Sequence, residues 1–321
     1  MTIPDFSIDH MTVAFAIDGG LVEQLCVTLH SLLRHRGGTT DVLLLAVDLK
    51  PDEIALIEKT ASLFARATLR VQPFSLGSDD LMAISSGHLT ATSLARIFLP
   101  DYIEERVLYL DADILVLEDL GPLFRMEMFG HVIAAARDLP QLVNSDVLDR
   151  AALGEVIRPR DLRRAQKDIT GFHNALPWGD PAHYVNTGVL LIDCAAMRAD
   201  KERYAQLRNV AEAAQYPLLD QDHINRTYGA EKTLLPLRWN RLTGNIPEGM
   251  YQRYLAAQGA ADDAAIYHYA GMRKPWWPWW KWRASRAPAK MLRWRLERWL
   301  MRRKLKRTSS FAIAKQSSAH G

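Results

Sequence analysis

Short apolar runs that stop at an acidic residue alternate, along the first third of the chain, with stretches whose apolar positions recur every three to four residues. Residues 13–17 and 42–47 are runs of the first kind and end at Asp18 and Asp48. An almost unbroken apolar run of this length is the pattern of a strand covered on both faces. Residues 21–33 are of the second kind, with Leu25, Thr28, Leu29 and Leu32 at helical spacing, and residues 52–63 follow Pro51, a residue favoured at the first position of a helix. Strand, helix, strand, helix at this spacing predicts a mostly parallel sheet with helices on both faces.

The alternation continues with strands expected at 68–71, 106–110, 132–136, 188–192 and 265–269 and a helix expected near 90–99. Between 139 and 182 the chain is polar and irregular, with Pro140, Pro159, Gly171, Pro177, Gly179 and Pro181. That stretch reads as a loop or lid beside a site, or as a surface insertion. There is no internal repeat. Composition changes abruptly after Met272, which divides the chain into an α/β domain over 1–272 and a tail over 273–321. At 321 residues and 48% hydrophobic content the domain is large enough to bury a full core.

Charge follows the same division. The formal charge is +3 overall, yet residues 273–307 carry fourteen Lys and Arg against the single acid Glu297, a segment at +13 beside a remainder at −10. Seven of the nine tryptophans lie between Trp276 and Trp299. Tryptophan favours the membrane interface, and each basic residue near an anionic leaflet contributes roughly 1 kcal/mol, so the tail is expected to dock peripherally on an anionic membrane surface. Its helical stripe is imperfect: Leu292, Leu296, Trp299 and Leu300 share a face that Arg303 interrupts, while Trp294, Met301 and Leu305 lie opposite. Docking on a partner protein is a second reading. Nucleic-acid binding is opposed by the negative remainder and by the lack of a recognisable RNA-binding module. Cys26 and Cys194 stand far apart in apolar stretches without metal or redox spacing, as buried free thiols of a reducing compartment do. The first ten residues lack a signal-peptide pattern, and no apolar stretch reaches the roughly 18 residues that a bilayer requires. The expected location is cytoplasmic, on the inner face of the cell membrane.

Candidate chemistry begins at Asp111-Ala112-Asp113, which ends the apolar run 106–110. Residues two apart on extended chain point the same way, so the two aspartates can converge on one cation, and open α/β sheets bind ligands at the carboxyl ends of their strands. A divalent ion held there can stabilise the charge growing on a leaving diphosphate. The alternative is that the pair merely caps and solvates the strand end.

Four separated segments extend the picture: Phe15-Ala16-Ile17-Asp18, YLDADILV around Asp111, VNTGVLLID around Asn186, and Asp220-Gln221-Asp222 followed by HYAGMRKPW from His268. Together, in order and spacing over residues 11–277, they resemble the family 8 glycosyltransferases, which include bacterial lipopolysaccharide galactosyl- and glucosyltransferases and glycogenin. The resemblance implies the GT-A fold, a Rossmann-like nucleotide-sugar-binding sheet, and makes 1–272 the catalytic domain. It also implies Mn²⁺, or Mg²⁺ in its place, with His268 joining Asp111 and Asp113 as a ligand, and a mixed oxygen and nitrogen set suits Mn²⁺. By the same resemblance Ala16 and Asp18 meet the nucleoside of the donor, Ala112 belongs to the donor-binding set, Arg96 reaches the donor sugar, and Gly271 and Lys274 meet the diphosphate. Asn186 and the triplet Asp220, Gln221 and Asp222 would surround the transferred sugar. The chain departs from the family at Gly19-Gly20-Leu21, where relatives carry acidic or Asn residues and then Tyr.

As an activity, the resemblance implies a retaining transfer of galactose or glucose from a UDP-sugar to a lipid-linked glycan such as a lipopolysaccharide core. Retaining glycosidases use a carboxylate nucleophile. The matching position here is Gln221, which favours same-face attack by the acceptor with Gln221 stabilising positive charge. Two other readings stand beside this one: a metal-dependent nucleotidyltransferase, and a catalytically idle sugar-nucleotide-binding scaffold at the membrane.

Overall fold

The computed structural model describes residues 10–83, 91–282 and 288–318. The first nine residues, Thr90 at the start of an expected helix, and residues 283–287 and 319–321 of the tail lie outside them. The strands in chain order are β1 (His10–Ile17), β2 (Thr39–Ala46), β3 (Ala67–Pro73), β4 (Arg106–Leu110), β5 (Ile114–Val116), β6 (Ile133–Arg137), β7 (Val185–Asp193), β8 (Thr233–Leu235), β9 (Arg241–Leu242) and β10 (Ile266–His268). Seven of them form one sheet in the order β3-β2-β1-β4-β7-β6-β8, and β5-β10-β9 form a second.

Two features of the topology create the site. Strands β1 and β4 run parallel as neighbours, with Val13 opposite Leu108 and Ala14 opposite Tyr109, so their carboxyl ends open side by side. Strand β7 runs antiparallel to β4, with Leu110 opposite Val189, so the beginning of β7 lies against the end of β4. The small sheet completes it: β10 is antiparallel to β5 with His268 opposite Ile114, one residue beyond Asp113.

The main helices are α1 (Val22–His35), α2 (Pro51–Ala61), α3 (Leu139–Ala152), α4 (Pro159–Ala175), α5 (Asp220–Tyr228), α6 (Glu248–Ala257) and α7 (Pro288–Ser318). Cores lie on both faces of the central sheet. Phe15, Ile17 and Leu44 face α1 on one side, and Ala14, Leu45 and Tyr109 face Leu94, Ile97 and Ile224 on the other. Both cysteines are buried and unpaired.

Two expectations give way. The stretch 139–182 holds the helices α3 and α4 rather than a loop. Its prolines are helix starts: Pro140 and Pro159 stand in the first turn, where no backbone N–H is needed. Leu139, Leu142, Val143 and Val147 pack with Met250, Tyr251 and Leu255 of α6 in a satellite core. The helix expected to run to residue 99 is α-helical only over Ala91–Leu94 and continues as a 3₁₀ helix over Ala95–Asp101, with Pro100 inside it.

Helix α7 crosses α1 and is apolar on two sides. Met291, Trp294, Met301 and Leu305 are buried in the same core as α1, and the ring of Trp294 lies 5.4 Å from that of Trp276. Glu297, the tail's one acid, is buried at this contact, 2.6 Å from His30 Nδ1 and 3.2 Å from Arg34. Arg298 pairs with Glu23 at 2.8 Å. Leu292, Leu296 and Trp299 face outward with more than half of their surface exposed. Among the described residues no helix is long and apolar enough to cross a membrane. Trp294→Ala should therefore cost about 3–5 kcal/mol in thermal or denaturant unfolding, as large core truncations do, whereas Trp299→Ala should change stability by no more than about 0.5 kcal/mol.

Candidate active site

Asp111 leaves the end of β4 with its N–H donating to Gly188 O at 2.8 Å, which fixes the turn carrying Asp113. One ligand atom from each of Asp111, Asp113 and His268 lies within 4.8 Å of the others. His268 Nε2 is 3.2 Å from Asp113 Oδ1 and 3.6 Å from Asp111 Oδ2. Glycine at position 188 keeps this space clear, since a Cβ there would stand 2.3 Å from His268 Cε1 and 2.6 Å from Asp111 Oδ2. Lys274 Nζ donates to Asp113 Oδ2 at 2.9 Å and to Tyr269 O at 2.6 Å. Burial alone would raise the Asp113 carboxyl, but the Lys274 ammonium beside it holds it well below the usual carboxylate range.

Arg96 is buried and ties two elements to this cluster. Its Nη2 donates to Asp111 Oδ1 at 2.9 Å, its Nη1 to Thr187 O at 2.8 Å, and its Nε lies 3.2 Å from Asp220 Oδ2. The guanidinium also stacks over the Tyr109 ring at 4.5 Å, and the Tyr109 hydroxyl donates to Asp111 Oδ1 at 3.0 Å. Burial pushes the Asp220 carboxyl up to about 6 despite Arg96.

The triplet opens α5 after Leu219, whose φ of +41° is costly for a leucine and aims the first turn into the site. Gln221 Oε1 accepts from Asn186 Nδ2 at 2.9 Å and from Thr187 N at 3.4 Å, and Gln221 Nε2 donates to the Tyr184 hydroxyl at 3.1 Å. Asp222 is turned away from Asp111: its oxygens accept from the Tyr184 hydroxyl and, at 2.7 Å, from Leu218 N.

On the β1 side, Ala16 is buried and Asp18 accepts from Gly20 N at 2.9 Å and from Thr92 Oγ1 at 3.3 Å. Ala112 is buried with its carbonyl accepting from Thr28 Oγ1 at 2.6 Å. Gly271 packs on backbone, where a Cβ would come within 2.6 Å of Thr243 O, so a neighbouring chain segment already demands glycine there. Contacts thus join Arg96, Asp111, Asp113, Asn186, Asp220, Gln221, His268 and Lys274 in one network that reaches Asp222 through Tyr184, while Asp18 bonds instead to Gly20 N and Thr92.

Sequence reading did not single out Tyr109, Asp138, Tyr184, Gly188 or Asn240. Asp138 had a weaker signal: it comes one residue after the apolar run 132–136, with Arg137 between. It caps α3 through Gln141 N at 3.4 Å, and burial pushes it up to about 6 against the donors of Gln141, Asn186 and Gln221. Asn240 carries no local pattern, because its partners come from β7 and β10.

The sequence matches the family described as glycosyl transferase family 8 over residues 12–279. It is 25% identical over 283 residues to General stress protein A of Bacillus subtilis (strain 168), covering 83% of this chain and 87% of that protein. Identity to the lipopolysaccharide 1,2-glucosyltransferase of Escherichia coli (strain K12) is 22% over 277 residues, covering 83% and 72% respectively. Among solved structures, the galactosyltransferase LgtC in complex with donor and acceptor sugar analogs matches with a TM-score of 0.63 at 21% identity, over 90% of this chain and 95% of that one, which shows a shared GT-A fold. Most of the chain falls within the family match, and it belongs to glycosyl transferase family 8: it is a glycosyltransferase.

Proposed function

We propose that this chain is a retaining, Mn²⁺-dependent hexosyltransferase that moves galactose or glucose from a UDP-sugar to a lipid-linked glycan. The observation that carries this reading is the convergence of Asp111, Asp113 and His268 beside Lys274, at the carboxyl end of a central strand. Two carboxylates and an imidazole nitrogen within 4.8 Å, in a space that Gly188 keeps open, fit a divalent ion of the Mn²⁺ kind. Such an ion bound by Asp111, Asp113 and His268 supplies positive charge to the departing diphosphate.

The chain's own residues account for the rest. Lys274 brings a second cation to the diphosphate side. Arg96, clamped between Asp111 and Asp220, holds the two carboxylates at a fixed separation around the sugar. A covalent route through a carboxylate finds its candidates engaged, since Asp222 is bonded to Tyr184 and Leu218 N, and Asp220 to Arg96 and Thr187. The geometry favours same-face substitution. The bond from the anomeric carbon to the phosphate oxygen breaks as the bond to the acceptor oxygen forms, and the acceptor proton passes to the leaving phosphate oxygen. Gln221, neutral and held at both ends of its amide, offers a dipole to the oxocarbenium-like carbon without bonding to it.

A lipid-linked acceptor is supported by the glucosyltransferase relative and by the outer surface of α7. The exposed Leu292, Leu296 and Trp299 form an apolar ridge on that helix. Beside it a groove of about 680 Å³ between α1 and α7 is lined by Arg34, Arg303, Lys304 and Arg307. An apolar ridge flanked by cations suits an anionic leaflet. The donor base would rest on the Gly19-Gly20-Leu21 turn, which lacks an aromatic side chain.

Asp113→Asn should lower Mn²⁺-dependent turnover of a UDP-hexose by on the order of 10²-fold or more with an unchanged circular dichroism spectrum, and turnover at the wild-type rate would remove the metal from the mechanism. Replacing Leu296 and Trp299 together by Glu should abolish co-sedimentation with phosphatidylglycerol vesicles while sparing hydrolysis of the soluble donor. Undiminished sedimentation would end the membrane reading.

A further inference from the structure

Asn240 lies in the 3₁₀ turn Leu237–Asn240, is 1% exposed, and bridges two parts of the site. Its Oδ1 is 2.9 Å from His268 Nδ1 and its Nδ2 donates to Asn186 Oδ1 at 2.8 Å. Beyond Asn186 the bonds continue through Gln221 and the Tyr184 hydroxyl to Asp222. A buried line of side-chain hydrogen bonds therefore runs from an imidazole at the metal cluster to the amide at the sugar.

Backbone N–H groups, which can only donate, set its direction. Gly188 N donates to Asn186 Oδ1 at 3.1 Å, so that end of Asn186 is an oxygen and Asn240 must turn its NH₂ toward it. Asn240 then presents its oxygen to His268, Nδ1 carries the imidazole proton, and Nε2 is left with its lone pair between Asp111 and Asp113. On the far side Thr187 N donates to Gln221 Oε1, so Asn186 gives its NH₂ to the same oxygen, and the Gln221 NH₂ turns to Tyr184.

We infer that Asn240 is a positioning residue with two separable tasks: it fixes the tautomer that lets His268 Nε2 bind a divalent cation, and through Asn186 it fixes which way the Gln221 amide faces the transferred sugar. Its side-chain bonds go to His268 and Asn186, so it acts through them. The second task rests on the transferase reading above, whereas the first does not.

The two tasks come apart in two variants. Asn240→Ala removes both bonds. Mn²⁺ binding to the full-length protein, followed by calorimetry or electron paramagnetic resonance without donor, should weaken by about 10–100-fold, the range typical for removing the partner of a ligating histidine. Asn240→Asp keeps an oxygen for the Nδ1 proton but sets an oxygen against Asn186 Oδ1. Its Mn²⁺ affinity should stay within about threefold of wild type, while kcat at saturating Mn²⁺ and donor falls by about tenfold or more with little change in donor KM, the signature of a loss confined to the transition state. Wild-type Mn²⁺ affinity in Asn240→Ala, or wild-type kcat in Asn240→Asp, would overturn the inference. Asp conserves the volume of the side chain, so that variant decides the matter if Asn240→Ala does not fold. Failure of the unaltered protein to transfer any hexose would instead refute the transferase reading, and the Mn²⁺ arm would still decide the role assigned at His268.

Discussion

Two carboxylates at the end of a buried strand repel each other and have given up much of their water, and the architecture around them is organised by the need to compensate that charge. A partly buried carboxylate left unpaired costs several kcal/mol. Here Asp111 is met by Arg96 and Asp113 by Lys274 and His268. Arg96 comes from the 3₁₀ helix before β4, and His268 and Lys274 from the segment that begins at β10, so strand order, the reversed β7 and the small second sheet all act to bring them to one place. The partners also determine what else fits: position 188 must be glycine because the imidazole and a carboxylate occupy the space beside it. Arg96 passes the constraint on to Asp220 and thereby to the start of α5.

A second level of order is built from neutral groups. Side chains of the turn before β9, β7, α5 and Tyr184 just ahead of β7 are bonded in one direction from His268 to Asp222, so the charged cluster and the Gln221 amide share a single framework. In a low-dielectric interior a fully satisfied network of this kind is rigid, and a partly satisfied one is destabilising. This explains why a site made of many small polar side chains can hold its geometry before substrate arrives.

Much of this was legible in the sequence because it depends on local patterns. Apolar runs ending in acids located β1, β2 and β4, and with them Asp111 and Asp113, although these two converge through the turn between β4 and β5 rather than through the two-residue repeat of extended chain. Strands β5, β8 and β9, at three residues or fewer, are too short to show any repeat. Helices α3 and α4 were hidden because their prolines open helices rather than break them. Asn240 and Tyr184 were invisible for another reason: their meaning lies wholly in partners distant in sequence. In the tail, composition showed two kinds of apolar residue opposite each other on one helix. Only packing revealed that the side bearing Trp294 is core and the side bearing Trp299 is open.

The central claim is that Asp111, Asp113 and His268 form a divalent-cation site whose purpose is to hold the diphosphate of a sugar donor. Calorimetric titration of the protein with UDP, UDP-glucose and UDP-galactose, each with and without Mn²⁺, tests it most directly. The account predicts binding of UDP and at least one donor that depends on Mn²⁺ and disappears with a chelator; binding that is equal with and without the ion, or no binding under either condition, would contradict it.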